Sequence, residues 1–282
     1  MQKFVILLFT LLFVSISFAQ NSPNDSKDST DTITWNTLQY DIVNILGGIG
    51  HAYTRPLHWE GDNWLSFGAV VAGTGIAFVF DDNLRAYFDN QEAHVPDFLQ
   101  GFGTYYGSPQ NNYALTGAVY FTGFLTKNEK LRRTGVLLIS SASAAGFLQQ
   151  VSKSVVGRAR PRSGLEKDHF RPFTNDKDFH SFPSGHAVMA FSNAYAIAKQ
   201  FTNPWVKAGI YGVGIIPGVS RLWRGAHWFS DFALSTVLSI FTVESIDAYL
   251  DGKYKAKYNP NTKTISWNFQ VVPGKIGLVM SF

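Results

Sequence analysis

The stretch Ser220-Arg221-Leu222-Trp223-Arg224-Gly225-Ala226-His227-Trp228-Phe229-Ser230-Asp231 opens directly onto the apolar run 232–249. A run of that length reads as helix rather than strand, so the stretch is a polar approach to a helix start. His227 and Asp231 stand four apart, a spacing at which a helix can bring a carboxylate to an imidazole. Such a contact fixes one ring nitrogen as N–H and leaves the other lone pair free to attack. The same pair reads equally as a structural hydrogen bond or as two ligands of a metal. For a metal, His186 is available as a third ligand, but His51, His58, His94, His169 and His180 show no ligand-type spacing. No metal is assigned.

Upstream, Ser181-Phe182-Pro183-Ser184-Gly185-His186 opens onto a second apolar run, 187–200. A turn running into a helix start presents free backbone N–H groups, and the helix dipole adds positive potential there. Gly185 lets a ligand approach the backbone closely, Ser184 offers a hydroxyl, and His186 titrates near neutral pH. The plainer reading makes Ser184 an N-cap with a surface histidine beside it. Further back, Lys153 and Arg160 bracket Ser-Val-Val-Gly-Arg158-Ala and precede Pro161. Seven positions are two helical turns, so both cations lie on one face before the proline ends the helix. Two cations aimed at one spot suit an anion, and guanidinium suits phosphate. A solvated basic helix end is the alternative.

Apolar stretches at 64–80, 113–126, 134–150, 187–200, 205–219 and 232–249 predict helices. Their Ala, Gly and Ser content predicts close helix–helix packing, as in membrane bundles. The tail differs. Ile265, Trp267, Phe269 and Val271 alternate with polar residues, and after Pro273-Gly274 the alternation resumes at Ile276, Leu278, Met280 and Phe282. That pattern predicts a β-hairpin appended to the helices. At the front, Lys3, the apolar run 4–14 and Ser17-Phe18-Ala19 read as a signal peptide, residues 1–19. Residues 20–60 read as a polar linker and pre-domain segment, 61–252 as the helical domain, and 253–282 as the tail.

Charged residues are 16% of the 282, aromatics 15% and hydrophobics 45%, a mix that suits long apolar segments buried in a core or in lipid. The net charge of +4 is too small to argue for nucleic acid, and a phosphate site accounts for part of it. With no cysteine, the chain is neither a disulfide scaffold nor a lipoprotein.

The order Lys-x6-Arg-Pro, Pro-Ser-Gly-His, Ser-Arg-x5-His-x3-Asp resembles the three-part signature of the type 2 phosphatidic acid phosphatase (PAP2) family. The same signature occurs in class A bacterial acid phosphatases and vanadium haloperoxidases. The resemblance covers residues 153–231 by motif, with every signature position matched. It implies an all-α helical bundle and a metal-independent phosphatase without cofactor, working through a phosphohistidine. His227 would be the nucleophile, Asp231 its partner, and His186 the acid and then the base. Lys153, Arg160, Ser184, Gly185 and Arg221 would bind the phosphate oxygens, with Arg158 and Arg224 as outer or headgroup contacts. A vanadate-dependent haloperoxidase and a non-catalytic phospholipid-binding protein are the rivals.

Basic segments at Lys127–Arg133 and Lys253–Lys257 behave as cytoplasmic loops, which puts the three motifs on the periplasmic side. Embedding in the inner membrane is therefore expected, with 64–80 not crossing fully, and with a phosphorylated lipid as substrate. The apolar runs are short for a bilayer and the mean hydropathy is only −0.02. A soluble periplasmic domain acting on small phosphomonoesters remains the alternative.

Overall fold

A computed structural model describes residues 35–258 together with the backbone of 266–272 and 275–281. Nine helices follow one another among the described residues. They are α1 (Trp35–Thr54), α2 (Gly61–Val79), α3 (Asp81–Glu92), α4 (Asp97–Tyr106), α5 (Pro109–Leu125), α6 (Glu129–Val156), α7 (Gly185–Ala198), α8 (Pro204–Trp223) and α9 (Phe229–Tyr258). The six predicted apolar runs fall in α2, α5, α6, α7, α8 and α9.

Local chemistry sets several of the boundaries. The Asn128 side chain accepts from the Leu131 N–H at 2.9 Å and caps α6, while Gly157 at φ +58° ends that helix in the left-handed region. Asn203 caps α8 by accepting from Trp205 N–H, and Pro204 occupies the first turn, where its missing N–H costs nothing. The core gathers Val119, Leu137, Leu138, Ile197, Val243 and Ile246 from α5, α6, α7 and α9.

The bundle begins earlier than the sequence predicts. Helix α1 lies within the expected 20–60 linker and pre-domain segment, yet Leu38, Ile45 and Ile49 pack against the core. Buried Asp41 is the anchor: it faces Arg132 Nε at 3.0 Å and accepts from Tyr120 Oη at 3.0 Å. Gly47 and Gly48 look like helix breakers in sequence, but a Cβ at Gly47 would run into Tyr249 of α9. They are small because two helices touch there. Helices α3 and α4 were also not predicted, α3 being short and polar and α4 short and interrupted by glycines.

Among the described residues, two helices, α6 and α9, are long and apolar enough to cross a membrane, and α2 with α3 makes a third if that pair, bent by 61°, counts as one span. This is fewer than the five runs left once 64–80 is set aside as not crossing fully. Helix α7 has 14 residues, so it is about 21 Å long against a hydrocarbon core of about 30 Å. In the tail, β1 (Ser266–Val272) pairs antiparallel with β2 (Lys275–Ser281), Phe269 opposite Leu278. The Pro273-Gly274 turn, the signal peptide and the polar run 21–33 lie outside the described residues.

Candidate active site

The site is assembled at one end of α6, α7 and α9 by a long connection, residues 157–184. Gly157 turns the chain out of α6, and its carbonyl accepts from Arg171 N–H at 2.7 Å. Backbone bonds then pin the segment: Ser181 N–H to Arg158 O at 3.0 Å, Arg160 N–H to Asp178 O at 2.7 Å. Arg162 N–H donates to Gly225 O at 2.9 Å, tying the first motif to the third. The Arg160 guanidinium donates to the carbonyls of Lys177 (2.9 Å), His180 (3.2 Å) and Ala226 (3.3 Å), the last beside His227.

His227 is buried, at 3% exposure. The sequence predicts that Asp231 reaches its ring, and the structure corrects this. His227 Nδ1 lies 4.0 Å from Asp231 Oδ2, beyond hydrogen-bond length. Nδ1 instead meets the Ser181 carbonyl at 2.5 Å. A carbonyl only accepts, so Nδ1 carries the proton and Nε2 keeps its lone pair. Asp231 is occupied otherwise, accepting from Ser181 Oγ (2.5 Å), Trp228 N–H (2.9 Å) and Arg158 Nη1 (2.6 Å). It holds the residue that holds the histidine. The reason is local: position 227 lies just before α9 begins, so the i, i+4 geometry of a helix does not apply there.

Burial lowers the pKa of His227 well below its ordinary value, and the positive charges of Lys153, Arg160 and Arg221 lower it further. His186 is pushed down to about 3, first by burial and then by Arg221, Lys153 and Arg160, while a hydrogen bond to the Thr104 carbonyl opposes the shift. The same three cations therefore act on both imidazoles. Burial also lowers the pKa of Arg160 and Arg221, but both remain cations near neutral pH.

Ser184 precedes α7 but its side chain does not cap that helix. Its hydroxyl is buried and has no hydrogen-bond partner among the described residues, and the same is true of Arg221 Nε. Two unengaged donors in a cationic pocket are what an oxyanion site presents before its ligand arrives. Gly185 fits closely: a Cβ there would come within 3.3 Å of Gln149 Oε1. Ser184 N–H donates to Ser235 Oγ at 2.7 Å, which fixes the turn to α9.

Of the two arginines expected at the margin, Arg158 is 2% exposed and bridges Asp81 and Asp231, so it makes no headgroup contact. Arg224 donates to Gln100 Oε1 (3.2 Å) and Thr104 Oγ1 (3.0 Å), tying the third motif to α4. Sequence reasoning assigned no role to Ser181, Asp81, Ser230 or Thr104. Ser181 stood inside a quoted motif, but what matters is its backbone oxygen, which every residue has. Asp81 carried no signal beyond following an apolar run. Among the described residues, no three His, Cys, Asp or Glu side chains are grouped to hold a metal ion.

The sequence model of the PAP2 superfamily matches residues 134–246, the span holding all eight predicted site residues. Over these 113 of its 282 residues the chain is similar to the PAP2 superfamily. Lipid A 1-phosphatase of Rhizobium johnstonii is 27% identical over 192 residues, covering 62% of this chain and 74% of that protein. Lipid A 1-phosphatase of Porphyromonas gingivalis is 23% identical over 252 residues, covering 86% of this chain. The chain spans about half of that relative's length (49%). The crystal structure of a transmembrane PAP2 type phosphatidylglycerolphosphate phosphatase from Bacillus subtilis aligns at a TM-score of 0.48 with 19% identity, over 65% of this chain and 95% of that one. Asp81 and Thr104 precede the matched PAP2 residues.

Proposed function

We propose that the chain is a metal-independent phosphatase that hydrolyses a lipid phosphate or diphosphate through a phosphohistidine at His227. The observation that carries this reading is His227 itself, buried, with its Nδ1 tied to the Ser181 carbonyl so that Nε2 holds the ring's lone pair. Burial and then the charges of Lys153, Arg160 and Arg221 disfavour its protonation.

Nε2 attacks phosphorus, and the bond from phosphorus to the leaving oxygen breaks. Lys153, Arg160, Arg221, Ser184 Oγ and the Gly185 N–H take the charge that gathers on the other phosphoryl oxygens. His186 protonates the leaving oxygen. The bound phosphate offsets the cations that depress its pKa, so the ring gains its proton in the complex rather than in the free enzyme. In the second step His186 takes a proton from water, the water oxygen bonds to phosphorus, and the P–N bond breaks. Phosphate leaves and His227 returns to its neutral state.

Three observations support a lipid substrate reached from the membrane. No residue of α2 is buried, although Trp64, Leu65, Phe67, Val71, Ile76 and Val79 all lie on it, which suits lipid contact better than water. An open apolar groove of 540 Å³ runs along the α2–α3 bend, with Gly73, Ile76, Ala77, Phe80 and Leu84 on one side and Phe229 on the other. Both relatives compared above are named as phosphatases of lipid A.

The inner membrane with a periplasm-facing site fits the charges. Lys127, Lys130 and Arg133 sit at the end of α6 away from Lys153, and Lys257 reaches Glu129 at 3.2 Å to bring the far end of α9 there too. Basic residues mark the cytoplasmic side. Phosphate release from lipid phosphates, compared with p-nitrophenyl phosphate, tests the proposal. The detergent-purified enzyme is expected to prefer the lipid, and His227→Asn to abolish both activities. A preference for the small ester would remove the lipid assignment, and turnover by His227→Asn would remove the mechanism.

A further inference from the structure

Arg158 is gripped by two carboxylates that lie far apart in the chain. Its Nη2 donates to Asp81 Oδ2 at 2.8 Å and its Nη1 to Asp231 Oδ1 at 2.6 Å. Ser230 closes the ring of contacts. Its hydroxyl accepts from Arg158 Nη1 at 2.8 Å and donates to Asp81 Oδ2 at 2.6 Å. Its backbone N–H donates to Asp81 Oδ1 at 2.9 Å. Arg158 Nε donates to the Lys167 carbonyl at 2.9 Å, and the guanidinium carbon lies over the rings of Phe78 (4.7 Å) and Trp228 (5.4 Å).

Arg158 spends four of its five N–H groups inside this cluster, both of those on Nη1 included, so it has no free fork for a phosphate. Asp81 and Asp231 are both at 0% exposure. A buried carboxylate is expensive unless it is paired, and one cation serves two here. Structural stability alone is a weak reason for such a cluster, since apolar residues of the same volume do that work as well. Its position supplies a better one. Asp231 accepts from Ser181 Oγ, and the Ser181 carbonyl meets His227 Nδ1, so an unbroken series of direct contacts runs from Asp81 to the attacking ring.

We propose that Asp81 is a positioning residue: with Ser230 it clamps Arg158 onto Asp231, and so holds Ser181 where its carbonyl sets the His227 tautomer. This rests on the phosphohistidine reading. It also gives the break between α2 and α3 a purpose, because Asp81 is the first residue after it and is the only buried residue of α3.

The test is kinetics on the full-length enzyme in detergent. Asp81→Asn is expected to lower kcat roughly 10- to 100-fold, as for loss of a buried charge-assisted partner, with KM within about twofold. Asp81→Glu is expected to recover part of the loss. The neighbouring Asp82, an exposed partner of Lys167, serves as control, and Asp82→Asn should leave kcat unchanged. Should Asp81→Asn fold poorly, the double variant Asp81→Asn/Arg158→Gln removes both charges together and leaves a neutral amide pair. Its kcat is expected to fall no further than that of Arg158→Gln alone, because both residues act along one series of contacts. Unchanged kcat in a folded Asp81→Asn protein, a loss expressed in KM, or independent losses that multiply in the double variant would each overturn the proposal. His227→Asn measured in parallel separates the two failures: if it is active, the mechanism itself is wrong, and if it is inactive while Asp81→Asn is normal, only the positioning role falls.

Discussion

At His227 a main-chain oxygen decides which ring nitrogen keeps its lone pair. A spacing of four residues between His227 and Asp231 is visible in the sequence, and it suggested a direct contact that the 4.0 Å separation rules out. The residue types were legible because each motif holds unusual side chains in a fixed order. The Ser181 carbonyl was not, since backbone atoms leave no mark on a sequence. This arrangement predicts an asymmetry. Ser181→Ala removes the hydroxyl that Asp231 accepts from but keeps the carbonyl on Nδ1. Its kcat is expected to fall by roughly 10- to 100-fold, far less than for His227→Asn, as measured by steady-state phosphate release. Total loss in a folded Ser181→Ala protein would mean that the hydroxyl, not the carbonyl, sets the ring.

At the level of elements, the long apolar helices were readable and the short polar ones were not. Helices α6 and α9 announce themselves by runs of apolar residues. Helix α4 is short, carries Gly103 and ends against Gly107, and both glycines look like loop signals. Both glycines are there because the helix lies against the site. A Cβ at Gly107 would meet His186 Cβ and Cδ2 at 2.8 Å and Pro217 Cβ at 2.9 Å. Contacts under 3 Å force something to move, and here the mobile partner is the proposed acid. Gly107→Ala is therefore expected to lower kcat more than it lowers Tm, measured by turnover and thermal melting of the same preparation. An unchanged kcat would show that α4 leaves His186 in place after all. Helix α1 escaped for a related reason: Asp41, Asn44, Gly47 and Gly48 break its apolar pattern, yet they are what packs it.

Across the whole molecule, folding keeps two imidazoles uncharged inside a cationic pocket. The unfolded rings titrate near pH 6.5, whereas in the fold His186 is lowered to about 3 and His227 lies well below its ordinary value. Below about pH 6.5 the unfolded chain thus binds protons that the folded chain refuses, and linkage makes stability fall as pH falls. Tm is expected to drop between pH 7.5 and 5, less steeply in His186→Asn than in the wild type. Parallel slopes would contradict the depressed pKa of that ring.

The account as a whole turns on a covalent bond between phosphorus and His227 Nε2. Rapid quenching during turnover, followed by mass spectrometry of the peptides, tests it most directly. A phosphoryl group stable in alkali, labile in acid and mapped to His227 is the expected result. A phosphoryl group on any other residue, or none in enzyme quenched at full turnover, would contradict it.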